Sequence, residues 1–198
     1  MKIKTLALAM TMSITATAQT PKLSKDNIEK VLQAMTLEEK ASLLVGGEYD
    51  FWSTTAMAGN SSHTVPGAAG STIAIPRLGI PETILTDGPA GVRINPTRPE
   101  TNKTFYATGF PVGSCIAATW NTELAFKVGK AIGSEVKAYN CDVILGPGMN
   151  IHRNPLCGRN FEYYSEDPLL TGKIASGYVK GVQNEGAGVS IKHFAVNS

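Results

Sequence analysis

The chain has 198 residues, enough for one domain with a real core, and 42% of them are hydrophobic, as in an ordinary α/β protein and unlike a disordered one. Its 18 basic residues stand against 16 acidic ones, which leaves no electrostatic footprint for nucleic acid or an anionic membrane. Cys115, Cys141 and Cys157 form no CxxC pair and argue against a stapled scaffold or a zinc knuckle, although an exported chain could pair two of them.

Residues 1–18 have the three parts of a secretory signal peptide. Lys2 and Lys4 precede an apolar stretch from Leu6 to Ile14 that is too short to span a bilayer, and Ala16-Thr17-Ala18 offers a cleavage site before Gln19. Cleavage removes two lysines and no acid, so the remaining domain, residues 19–198, is formally neutral. The expected location is periplasmic or secreted, with no membrane attachment after cleavage.

Asp26 to Met35 reads as a capped amphipathic helix with Ile28, Val31, Leu32 and Met35 on one face and Glu29 three residues after Asp26. Thr36-Leu37-Glu38-Glu39 repeats the capping-box pattern and predicts a second helix with Leu37, Ala41 and Leu44 inward, ended by Gly46-Gly47. From there to Pro81 a Gly-, Ser-, Thr- and Ala-rich stretch containing Trp52 and His63 reads as an irregular wrap. Two sequons, Asn60-Ser61-Ser62 and Asn102-Lys103-Thr104, matter only in a host that glycosylates exported proteins.

A strand and helix rhythm follows. Strands are predicted over Glu82–Thr86, Ser114–Ala118, Asp142–Leu145 and Gly188–Ile191. One helix carries Leu124, Val128, Ile132 and Val136, with Ala131 and Tyr139 completing its face; another runs from Pro168 to about Gln183 with Leu170, Ile174, Tyr178 and Val182 on one side. Strands and helices alternating at this spacing predict right-handed βαβ crossovers and a parallel sheet. Between the third strand and the last helix lies Gly146 to Pro168, a loop broken by glycines and prolines and closed by Asp167 as an N-cap before Pro168.

Polar groups gather at the carboxyl ends of the predicted strands: Asp87 with Arg93, Asn121, His152 through Arg159, and Lys192 with His193. That is where a barrel or open sheet has its pocket. There is no G-x-S-x-G elbow, no HExxH and no phosphate-binding G-x-x-x-x-G-K-[ST], and Gly186-Ala187-Gly188 precedes a strand instead of following one. Neither a metal nor a cofactor is implied. What remains is a neutral hydrogen-bonding pocket in which Asp87 accepts, Arg, Lys and His donate, and Trp52, Trp120, Phe161 or Tyr164 could cover an apolar sugar face, a combination suited to an uncharged polyol. Each residue also has a plain structural alternative. Asp87 could start a turn, Arg159 could pair with Glu162, Arg93 could be a solvated cation and His193 a satisfied core histidine.

Three blocks, Asp87-Gly88-Pro89-Ala90-Gly91-Val92-Arg93, the run from Asn154 through Arg159-Asn160-Phe161-Glu162 to Pro168, and Lys192-His193-Phe194, resemble the signature blocks of the amino-terminal domain of glycoside hydrolase family 3, the β-glucosidase family. The resemblance implies the amino-terminal half of a (β/α)8-type, TIM-like barrel with about four parallel strands and flanking helices. It further implies that Asp87, Arg93, Arg159, Lys192 and His193 grip the non-reducing-end sugar of a β-linked oligosaccharide or glycoside. The implied chemistry is retaining hydrolysis by an aspartate nucleophile and a glutamate acid/base. In the family both lie later than Ser198, so no catalytic residue is expected within these residues. The chain therefore reads as the first half of a longer enzyme, its partner being the missing carboxy-terminal part, and as inactive and poorly soluble alone. A non-catalytic carbohydrate-binding protein is the rival reading, and a β-xylosidase or arabinosidase the alternative within the family. Ala195-Val196 after Lys-His-Phe speaks against the N-acetylglucosaminidase branch, which carries Pro-Gly there.

Overall fold

The computed structural model describes residues 20–46 and 64–197. The signal peptide, Trp52, His63 and the first sequon lie outside the described residues. Helices α1 (Ile28–Ala34) and α2 (Leu37–Val45) come first, then strand β1 (Gly70–Ser71), a 3-10 turn at Pro76–Leu78 and strand β2 (Ile84–Asp87). Helices α3 (Gly113–Ala117) and α4 (Thr122–Ala138), strand β3 (Val143–Leu145), a 3-10 turn at Asn160–Glu162, helix α5 (Pro168–Asn184) and strand β4 (Gly188–Val189) complete the order.

The sheet has four strands in the order β1-β2-β3-β4. β2, β3 and β4 run parallel, Asp87 level with Leu145 and Ile144 level with Val189, whereas β1 is antiparallel to β2. The α/β class is as expected, with two corrections to the strand list. Ser114–Ala118 is not a strand but most of α3, because a short apolar run of Ala, Ile and Cys has no periodicity that separates strand from helix. The fourth strand is instead β1, inside the stretch read as irregular wrap. Asn121, expected at a strand end, is the N-cap of α4 and accepts from the Leu124 amide at 2.9 Å.

Side chains alternate along β2: Ile84 and Thr86 are buried, while Leu85 and Asp87 face the other side of the sheet. Ile84 and Ile144 join Ile132, Val136, Tyr178 and Val182 in the main core, which places α4 and α5 against one face of the sheet. The two helices meet backbone to backbone. A Cβ on Gly129 would sit 2.2 Å from the Tyr178 carbonyl oxygen, and one on Gly181 would sit 2.1 Å from that of Phe126. Only hydrogen at those positions permits the contact.

The α5 face is as predicted, with Ile174, Tyr178 and Val182 fully buried. On α4, Ile132 and Val136 are buried but Ala131 is exposed; Ala125 and the two glycines take its place at the interface. Thr36 forms the predicted capping box with Glu39. The N-cap of α1 falls one residue later than expected, at Asn27, whose side chain makes no cap bond and instead accepts from the Ser24 amide. The predicted inward face of α2 is wrong: Leu37 and Leu44 are exposed, while Leu43 packs against the cluster of Val31, Met35, Ile75 and Leu78, and Glu39 takes a double hydrogen bond from Arg77. All three cysteines are free, so the possible bridge is absent. No helix among the described residues is long and apolar enough to cross a membrane.

Candidate functional site

Asp87 is the last residue of β2 and projects from the face that α4 and α5 do not cover. Its main-chain carbonyl accepts from the Arg93 amide at 2.9 Å, and the buried Thr86 hydroxyl donates to the Arg93 carbonyl at 2.9 Å, closing the Gly88–Arg93 turn over the strand end. Lys192 is fixed two strands away by an extension of the β3 and β4 pairing. Its amide donates to the Pro147 carbonyl at 3.0 Å and its carbonyl accepts from the Met149 amide at 2.8 Å. The loop after β3 then folds back through successive turns, Cys157 amide to Asn154 carbonyl and Asn160 amide to Cys157 carbonyl, which end in the 3-10 turn carrying Glu162. Helix α3 packs on that turn: the Ser114 hydroxyl donates to the Phe161 carbonyl at 3.1 Å.

These three segments bring four charged side chains together. Lys192 Nζ donates to Asp87 Oδ1 at 2.8 Å and lies 4.0 Å from Glu162 Oε2, while Glu162 Oε1 accepts from Arg159 Nε. The sum is two carboxylates against two cations. Lys192 and Glu162 form the sheltered centre, with side chains 15% and 9% exposed, and Asp87 and Arg159 form the open rim. The Glu162 hydrogen bond raises the Arg159 pKa. His193 stands beside the cluster, with its Nδ1 2.8 Å from the Tyr163 hydroxyl. Burial, then the neighbouring Arg159 and Lys192 charges, lower its pKa below the ordinary 6.5 and favour the neutral ring at neutral pH. Asn150 grips its main chain, accepting from the His193 amide at 2.6 Å and donating to its carbonyl at 3.1 Å.

Asp87, Arg159, Lys192 and His193 thus converge at one end of the sheet, although Asp87 and Lys192 are 105 positions apart. Arg93 is exposed and enters the cluster's framework through its main chain. Each acid is paired with a cation through one oxygen, and Asp87, on the rim, keeps its other oxygen as an acceptor among several donors. That set suits a neutral, hydroxyl-rich ligand. Of the rings considered as a sugar platform, Tyr164 is corrected: it is 5% exposed and packs with Ile116, Ala125 and Ile174. Phe161 and Trp120 are exposed. Tyr163 and Asn150 are the site residues that pattern reading missed, whereas the pairing of Arg159 with Glu162, read as the plain structural alternative for Arg159, is present. The i to i+3 spacing of Arg159 and Glu162 was visible, whereas nothing local marks Asn150 as the holder of a residue 43 positions away. Among the described residues no three His, Cys, Asp or Glu side chains cluster as a metal site.

A profile for the glycosyl hydrolase family 3 N terminal domain matches residues 72–198. The chain is 45% identical over 175 residues to thermostable beta-glucosidase B of Acetivibrio thermocellus, covering 87% of this chain and 20% of that protein. It is 44% identical over 168 residues to an exo-alpha-(1->6)-L-arabinopyranosidase of Bifidobacterium longum, covering 83% and 20%. Among solved structures, beta-glucosidase 3B from Thermotoga neapolitana in complex with glucose superposes with a TM-score of 0.75 at 54% identity, over 84% of this chain and 22% of that one. The chain spans about a fifth of the length of the curated relatives it matches. The likeness supports the reading of the sheet and its crossover helices as part of a family 3 barrel domain. On the strength of that match, the chain belongs to glycosyl hydrolase family 3, within its amino-terminal domain.

Proposed function

We propose that these residues form the sugar-gripping part of an exported, retaining β-glucosidase that removes terminal non-reducing β-D-glucosyl residues. The observation that carries the reading is the convergence of Asp87, Lys192, Arg159 and His193 on one strand-end cluster. Its support from relatives is the beta-glucosidase of Acetivibrio thermocellus and the glucose complex of the Thermotoga enzyme. Asp87 accepts a ligand hydroxyl on its outer oxygen, and Lys192, Arg159 and His193 donate to ligand oxygens. The family resemblance, which implies a nucleophile and an acid/base later in the chain, supports the reading that neither is among these residues. The 198 residues alone are therefore inactive, and the export route is the one that residues 1–18 suggest.

A second reading has its own observation. The Bifidobacterium longum arabinopyranosidase is nearly as similar as the glucosidases, so the same grip could serve a pentopyranose. Kinetics of the product of the complete reading frame on aryl β-D-glucoside and aryl α-L-arabinopyranoside separate the two. In that protein Asp87→Ala should lower kcat/KM by the equivalent of about 2–4 kcal/mol, as for loss of a charged hydrogen-bond acceptor. An unchanged kcat/KM would remove Asp87 from the site, and steady hydrolysis by the 198-residue chain alone would overturn its inactivity.

A further inference from the structure

The geometry points to Tyr163 as a positioning residue that fixes the His193 imidazole as its Nε2–H tautomer, so that the ring presents a proton, and no lone pair, to the ligand. The inference rests on the reading of the cluster as a sugar site and says what that site demands of the sugar.

Tyr163 is fully buried, its ring stands edge-on to that of His193 at 74° with centroids 5.8 Å apart, and its hydroxyl lies 2.8 Å from Nδ1. A bond of that kind has two possible senses, and the other neighbours of the hydroxyl decide between them. The Asn197 side-chain amide donates to the Tyr163 oxygen at 2.7 Å, which uses the oxygen as acceptor and leaves its own proton for Nδ1. Burial raises the Tyr163 pKa, so the phenol keeps that proton. With Nδ1 accepting, a neutral imidazole must carry its proton on Nε2. Asn150 fixes the main chain from which the ring projects, at both its amide and its carbonyl, and the Tyr163 contact holds the ring itself. Nε2 has no hydrogen-bond partner among the described residues, and His193 lines an open cleft together with Asn150, Ile191 and Lys192.

The consequence is chemical selectivity. Lys192 and His193 stand next to each other in the chain and both offer donors only, while Asp87 offers only acceptors. A ligand hydroxyl that meets His193 must accept there and send its own proton to another acceptor. A cationic amino group in that place would find donors facing it, which makes an amino sugar a poor fit.

The test is 15N magic-angle-spinning NMR of the protein from the complete reading frame, labelled only at histidine Nδ1, with the His193 signal assigned by its loss in His193→Gln. Above the His193 pKa the expected signal is that of an unprotonated, pyridine-like Nδ1. In Tyr163→Phe a pyrrole-like, protonated Nδ1 population should emerge, and glucose affinity should fall about tenfold, as for loss of one well-placed hydrogen bond. A protonated Nδ1 in the unmodified protein overturns the inference without reference to any variant, and so does a Tyr163→Phe spectrum identical to the parent. Failure of the sugar-site reading looks different: Nδ1 is unprotonated as expected, yet glucose leaves the His193 signal unmoved at saturating concentration.

Discussion

Replacing Glu162 by Gln keeps the shape of the side chain and removes the one carboxylate that touches both cations of the cluster. Removing one partner of a fully buried ion pair costs about 3–5 kcal/mol, because the other charge is left without compensation. Two features of this site reduce that. Arg159 is 44% exposed and rehydrates when released, which brings its share toward the value of about 0–1 kcal/mol typical of surface pairs. Lys192 is far more sheltered but keeps Asp87 at 2.8 Å, against 4.0 Å to Glu162. The expected cost is therefore about 2 kcal/mol, between the two limits. Hydrogen exchange of the amides in the Asn160–Glu162 turn and α5 reads the local opening free energy in the full-length protein. Glu162→Gln, Arg159→Met and the double variant make a thermodynamic cycle, with an expected coupling of about 1 kcal/mol, the upper end for a half-exposed pair. A coupling below about 0.5 kcal/mol would mean that the pair is an incidental surface contact, and the account of Glu162 as the centre of the cluster would fall.

Three further outcomes follow from the packing and the titrating groups. Gly129→Ala should destabilise the α4 and α5 crossing by about 3 kcal/mol or more in thermal unfolding, since backbone blocks the new methyl, whereas Gly172→Ala, with open space around it in α5, should stabilise by about 0.5–1 kcal/mol; equal effects would refute the close approach. Cys141 is fully buried and burial pushes its thiol up to about 11, so iodoacetamide at pH 8 should label exposed Cys115 and spare Cys141, as read by peptide mass spectrometry. The pKa of His193 is lowered in the fold, so the unfolded chain takes up the proton first as pH falls. Its contribution is fully present above pH 6.5 and is lost as pH drops from there through the lowered folded value, and His193→Gln should flatten that part of the stability profile.

Periodic elements were legible in the sequence where one-sided burial enforces the period. Helix α5 is the clear case, since three of the four residues read as its inner face are fully buried. Two elements defeated the same logic for different physical reasons. Ser114–Ala118 is too short to display any period, and it became helical because the chain there must lay α3 on the Glu162 turn, a contact made by residues 47 positions apart. In α2 the residues read as the inner face, Leu37 and Leu44, lie exposed, and the helix is placed by Leu43 against the α1 cluster and by the Arg77 to Glu39 ion pair, which no local pattern announces. β1, two residues long, carries too little sequence to signal a strand and exists through its register with Ile84 and Leu85.

The site shows why reading residues one at a time sets up false choices. For Arg159 the alternatives were a ligand for substrate or a partner for Glu162, as if one excluded the other. A guanidinium has five N–H donors in a fixed fork, and the bond to Glu162 uses Nε alone. The same bond that satisfies the structural alternative also stiffens the side chain and aims the remaining donors, with 44% of the side chain still open to solvent. His193 follows the same rule: its Nδ1 is satisfied by Tyr163 as in a core histidine, and that satisfaction is what leaves Nε2 for a ligand. Binding groups at a strand end need a supporting layer to hold them, and the members of that layer, buried Glu162 and Tyr163 and half-buried Asn150, come from a loop whose path only the folded chain determines. If Tyr163→Phe weakens glucose binding while Glu162→Gln mainly loosens the turn, the two neighbours divide the work as their contacts indicate, one acting on a tautomer and the other on charge.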